Sequence, residues 1–176
     1  MLKRFGFYLI TLFGIVMLHI VIRKSLIIMG ISPNILLIVV IFVALIKGIV
    51  FGQLFGFTFG LITDTLSIGP FGTNAFLFTL ISFLSGLMSR KLNITQPKAQ
   101  VVFVFLLSLI YIFGLFLVLL IFSDSFGVFP SLKIWFEPFL NAFFSPILYF
   151  VLRKWIKIWF PRQKIGFLSV KKYNVQ

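Results

Sequence analysis

The chain has 176 residues, 61% of them hydrophobic and 11% charged, and its mean hydropathy is +1.18. That composition excludes a cytosolic globular domain, and the apolar stretches of about 15 to 24 residues suit helices crossing a hydrocarbon layer of roughly 30 Å. Sixteen Lys and Arg against three acids give +13, but the cations flank the apolar stretches and no loop offers a reading surface, which excludes nucleic acid as partner in favour of anionic lipid.

The first apolar run, 5–22, lies between Lys3, Arg4 and Arg23, Lys24. A cleaved signal peptide needs a shorter core followed by small residues, which Val21, Ile22 and Arg23 do not supply, so the run is expected to be retained as helix 1. The next stretch is interrupted by Gly30, Ile31, Ser32, Pro33 and Asn34. Ser32 can cap and Pro33 suits the first helical position, so helix 2 is expected over 33–46. At 1.5 Å per residue this is about 21 Å, too short to span alone, and residues 25–32 are expected to complete the depth as irregular backbone enclosed by protein.

Helix 3, 48–66, follows Lys47. The uncharged turn from Ser67 through Gly69 and Pro70 to Gly72 combines the two strongest chain breakers and predicts a tight hairpin at membrane level. Helix 4, 73–89, stops at Arg90 and Lys91; residues 93–100 form a polar loop with Pro97 and Lys98; helix 5, 101–122, carries no charge. The segment 123–137 is unusually apolar for a loop, which fits either the headgroup region or a docked partner protein. Helix 6, 138–152, opens with Glu137 at the positive end of the helix dipole and Pro138 in the first turn. The expected fold is an all-α polytopic membrane protein: a single domain of six transmembrane helices over 1–152, followed by a basic tail over 153–176.

With the N-terminus inside, the cytoplasmic segments hold Lys3, Arg4, Lys47, Arg90, Lys91, Lys98, Arg153, Lys154, Lys157, Arg162, Lys164, Lys171 and Lys172, leaving Arg23, Lys24 and Lys133 outside. The bias predicts a multi-pass protein of the bacterial cytoplasmic (inner) membrane with both termini in the cytoplasm. Trp155 and Trp159 alternate with cations before Pro161, which reads as an interfacial anchor on anionic lipid, with partner docking as the alternative. Trp135 is the corresponding interface anchor on the outer side.

Gly48, Gly52, Gly56 and Gly60 recur every four residues and lead to Asp64. Such a stripe lets a neighbouring helix approach closely, whether from this chain or from a second protein. Off the stripe, Leu54 and Phe59 are expected to tolerate truncation. Asp64 is the only acid inside an apolar run, which marks it for function by default. Three readings compete there: capping of the amides that open helix 4, a proton or ion role, and a partner contact. If it caps, Asp64→Asn should be mild, since an amide still accepts. Asn141 and Ser145, one turn apart before Pro146, can satisfy the backbone that the proline frees or bond across to another helix. His19 lies near the outer end of helix 1 but finds no nucleophile or metal site to work with, and the chain has no cysteine; neither catalysis nor a cofactor is expected.

Taken together, Ser32-Pro33-Asn34 with the apolar residues after it, the glycines from Gly52 to Asp64, the run from Leu66 through Gly69, Pro70, Gly72 and Asn74 to Ala75, and Asn141 to Pro146 resemble the rod shape-determining MreD family in order and spacing. The resemblance implies a non-enzymatic membrane component of the bacterial cell-elongation machinery. Such a component associates with MreC, and through it with the actin-like MreB, the polymerase RodA and a class B transpeptidase in peptidoglycan synthesis. It also implies a six-helix fold like that of the substrate-binding subunits of energy-coupling-factor transporters, which supplies the alternative of vitamin-type solute capture. Those subunits usually carry alanines four apart in helix 1, and helix 1 here has none.

Overall fold

A computed structural model of the protein describes residues 14–21, 31–67, 69–89, 96–122 and 132–159, with backbone alone at Leu132 and 155–159. The described residues are overwhelmingly helical. Residues 14–21 belong to α1; then follow α2 (Ile35–Lys47), α3 (Ile49–Leu66), α4 (Thr73–Met88) and α5 (Pro97–Ile121). A short 3-10 helix (Leu132–Phe136) runs directly into α6 (Glu137–Trp159). The protein is thus an all-α membrane protein: α3, α5 and the stretch Lys133–Lys154 are long and apolar enough to cross a bilayer, while α2 and α4 are apolar but shorter.

The centre of the bundle is α2. Ten of its thirteen residues are buried, and the stretch from Ile35 to Phe42 is at most 1% exposed. A helix apolar all the way round suits a protein core or a lipid environment, and here α3, α4, α5 and α6 all pack on it. The contacts fix directions. α3 and α4 form an antiparallel hairpin, with Gly56 against Phe78 and Ser82 and Gly60 against Ala75. Antiparallel packing of α5 and α6 brings Phe105 to Phe139 (4.9 Å between ring centroids) and Phe116 to Trp135 (6.4 Å). α2 and α6 run parallel, since Asn34 bonds Asn141 and Phe42 meets Tyr149 at 5.1 Å one end further on.

This alternation sorts charge. At the end where α2 passes into α3, the described residues include Lys47, Lys98, Arg153 and Lys154 and no acid; at the other end are Asp64, Glu137 and Lys133.

Several element boundaries differ from the sequence expectation. α2 begins at Ile35 and its cap is Asn34, whose side chain accepts from the Leu37 amide at 3.2 Å; Ser32 and Pro33 precede the helix. α5 begins four residues early because Pro97, with no N–H to satisfy, occupies the first turn. α6 continues past Leu152 to Trp159, where cations suit the negative end of the helix. Within it, Pro146 leaves the Ala142 carbonyl without its helical donor, and the Ser145 hydroxyl donates to that carbonyl at 2.8 Å. Residues 1–13, 22–30, 68, 90–95 and 123–131, and the tail beyond 159, lie outside the described residues, and with them the expected stop of helix 4 at Arg90 and Lys91.

The glycine stripe divides between two neighbours. Steps of four residues advance about 40° round a helix, so Gly52 faces Ala44 of α2 while Gly56 and Gly60 face the backbone of α4. A Cβ on Gly60 would fall within 2.6 Å of both the Ala75 amide nitrogen and the Asn74 carbonyl oxygen. The partner of the stripe is therefore this chain. Gly48 is not part of it: its φ of +89° makes the turn between α2 and α3, and space is open where a Cβ would sit. Gly69 also faces open space, while Gly86 of α4, outside the repeat, closes the same hairpin against Ile49. Phe59 is fully buried, contrary to the tolerance expected of it, whereas Leu54 and Phe57 are exposed.

Overpacking then predicts that Gly56→Leu and Gly60→Leu each lower the unfolding free energy in mixed detergent micelles by about 1–3 kcal/mol or more. Leu54→Ala and Phe57→Ala should change it by less than about 0.5 kcal/mol. Full stability of Gly60→Leu would contradict the close approach.

Candidate functional site

The turn between α3 and α4 presents a problem of unsatisfied amides. Gly72 occupies the N-cap of α4 in the left-handed conformation (φ +94°), and glycine has no side chain with which to cap. The cap comes instead from Asp64, near the end of α3. Its Oδ2 accepts from the Gly72 amide at 3.1 Å and the Ala75 amide at 3.0 Å; its Oδ1 accepts from the Asn74 amide and the Asn74 side-chain Nδ2, both at 2.9 Å. The Thr73 amide donates to the Pro70 carbonyl, and the Phe76 amide begins the helical ladder at Gly72. Each amide that opens α4 therefore has a partner. Charge-assisted bonds and the positive end of α4 offset the burial of the carboxylate, which is 6% exposed.

The network continues inward. Asn74 also points Nδ2 toward the Ser67 hydroxyl at 3.5 Å, and its Oδ1 accepts from the Tyr111 hydroxyl at 2.7 Å, which ties α5 to the hairpin. A second polar cluster sits at the start of α2. The Asn141 side chain accepts from the Asn34 amide at 2.7 Å and donates to the Ser108 hydroxyl at 3.1 Å, joining α6, α2 and α5. Ser108 and Tyr111 lie on one face of α5, so the two clusters meet the same helix.

Of the residues singled out from sequence, the structure joins Asp64, Gly72 and Asn74 in one network and puts Asn141 in the other. His19 is buried but is not among the donors to Asp64, all of which come from residues 72–75. Trp135 is partly exposed beside Phe116; the side chains of Trp155 and Trp159 lie outside the described residues. Tyr111 and Ser108 escaped sequence reasoning. The signal available was a tyrosine in the middle of an uncharged span, whose hydroxyl needs a partner when buried. Among the described residues no three His, Cys, Asp or Glu side chains gather into a metal-binding group. What the arrangement does chemically is hold helices: each carboxylate oxygen already accepts two N–H groups.

The family model for the rod shape-determining protein MreD matches residues 2–159. The chain belongs to the MreD family. The role of that family is rod shape determination, and its model covers α2 to α6 with both polar clusters. No characterised protein and no solved structure matched the chain in the same comparisons.

The paired acceptance at Asp64 changes the expected effect of an amide there. An asparagine side chain in its place would set an NH2 group against two N–H donors, so Asp64→Asn should lower stability by about 1–3 kcal/mol, close to Asp64→Leu, while Tyr111→Phe should cost about 0.5–1.5 kcal/mol. Equilibrium unfolding of the three variants measures this, and a neutral Asp64→Asn would contradict the four-bond geometry.

Proposed function

We propose that the protein is a non-enzymatic scaffold of the bacterial cell-elongation complex, binding MreC within the cytoplasmic membrane and through it acting with MreB, RodA and a class B transpeptidase in peptidoglycan synthesis. The family match over residues 2–159 carries this reading. The state of the interior supports it against solute capture. A solute site needs a few convergent polar groups with capacity to spare, and here Asp64, Asn74, Asn34 and Asn141 are spent on one another and on helix starts. The exposed apolar faces of α3, α5 and α6 remain for contacts with other proteins, which suits a protein that works by holding others.

The same reading takes both termini as cytoplasmic, with the end that carries Lys47, Lys98, Arg153 and Lys154 on the inside. The chain has no cysteine, so single cysteines report on topology directly. In intact cells Ser131→Cys should react with an impermeant maleimide and Ser169→Cys should not; the reverse pattern would invert the orientation. Affinity purification from native membranes should recover MreC together with cell-wall polymerising enzymes. Recovery of an energising ATPase module in their place would overturn the scaffold and favour a vitamin-type uptake subunit.

A further inference from the structure

We propose that the cationic end of the bundle is a binding belt for anionic phospholipid, in which Lys98 of α5 and Arg153 and Lys154 of α6 hold the headgroup phosphates. The antiparallel packing of α5 on α6, fixed by the Ser108 to Asn141 bond and the Phe116 to Trp135 contact, brings the first turn of α5 to the level of the last turns of α6. Lys98 and Lys154 are exposed there and Arg153 is half-buried. No acid shares that end among the described residues, since Asp64 and Glu137 both lie at the other. The positive charge is therefore not neutralised by carboxylates from the described bundle.

The next tier of the surface identifies the partner. Within about one turn of these cations, Val102 of α5 and Phe150 and Val151 of α6 are exposed hydrocarbon. An anion directly joined to a long apolar chain matches both tiers, which an acidic phospholipid provides and a soluble acidic protein or a nucleic acid does not. Arginine can pair two oxygens of a phosphate, and lysine adds a compact charge beside it. Attraction of this kind is local, since exposed charges are screened within a few ångströms at molar salt.

The three tryptophans of the chain, Trp135, Trp155 and Trp159, make the test possible with the full-length protein alone, so its outcome is independent of the cell-elongation reading. Trp135→Phe leaves reporters only in the last turns of α6, and the double variant Trp155→Phe with Trp159→Phe leaves one only at the opposite end. In phosphatidylcholine bilayers, quenching by brominated phosphatidylglycerol is compared with quenching by brominated phosphatidylcholine. At the α6 reporters the anionic lipid should compete several-fold better, and the advantage should fall at least twofold with Lys98→Gln, Arg153→Gln and Lys154→Gln combined, where Lys157 is retained, and to near parity in 1 M salt. At Trp135 the two lipids should quench alike. Should the triple variant fail to reconstitute, Lys98→Gln with Lys154→Gln, both at exposed positions, together with the salt series carries the test. Equal quenching by the two lipids at the α6 reporters, or a preference that survives both the substitutions and the salt, would overturn the proposal.

Discussion

Hydrocarbon supplies no hydrogen-bond partner, so a helix that starts at membrane depth must find acceptors for its first amides inside the protein. Two helices here find side-chain acceptors for their opening amides inside the protein. α4 starts at a glycine and takes its acceptors from Asp64, on the preceding helix. α2 starts at Asn34, whose side chain caps the Leu37 amide while its own amide is held by Asn141. The Ala142 carbonyl, freed by Pro146, poses the same demand for a donor and is met by the Ser145 hydroxyl. Asp64, Asn141 and Ser145, all buried, thus stand in for water at these backbone groups.

The glycine stripe serves the same end. Gly60 lies one turn before Asp64, and both address Ala75: the glycine abuts its Cα and amide nitrogen, and the carboxylate accepts from that amide. A larger side chain at residue 60 would hold the helices apart and draw the carboxylate away from the donors it serves. Close approach and capping are thus two aspects of one contact. Tyr111 extends it to α5, where Phe78 also packs on the tyrosine ring at 5.5 Å between centroids.

Much of this was legible in the sequence because it rests on rare residues in an apolar background. The helices stand out as apolar runs, and a lone carboxylate just before a Gly-Pro turn offers itself as a cap, with a proton or ion role and a partner contact left open until its donors are known. The start of α2 was less legible, because Ser32 and Asn34 are both good caps and only the bond from Asn141 selects the second. The start of α5 was hidden in a polar stretch, although Pro97 at a first helical turn was a usable signal. Gly48 shares the spacing of Gly52 and Gly56 but does a different job, since periodicity records position on a helix and not whether the helix has begun. The roles of Tyr111 and Ser108 depend on which helix lies opposite. That an amide would fail at Asp64 depends on how many donors meet each oxygen, which spacing does not reveal.

The enclosure of α2 has a consequence in time. α3, α4, α5 and α6, which pack on it, all come later in the chain, and the side chain that accepts from the amide of its N-cap, Asn34, is 107 positions downstream. At roughly 5–20 residues per second, the ribosome adds Asn141 about 5 to 20 s after Asn34. Until then the thirteen residues of α2 lack the complete set of neighbours that encloses them. The core is thus completed by its last helix, and a nascent chain interrupted before α6 leaves the Asn34 amide without the acceptor that Asn141 supplies.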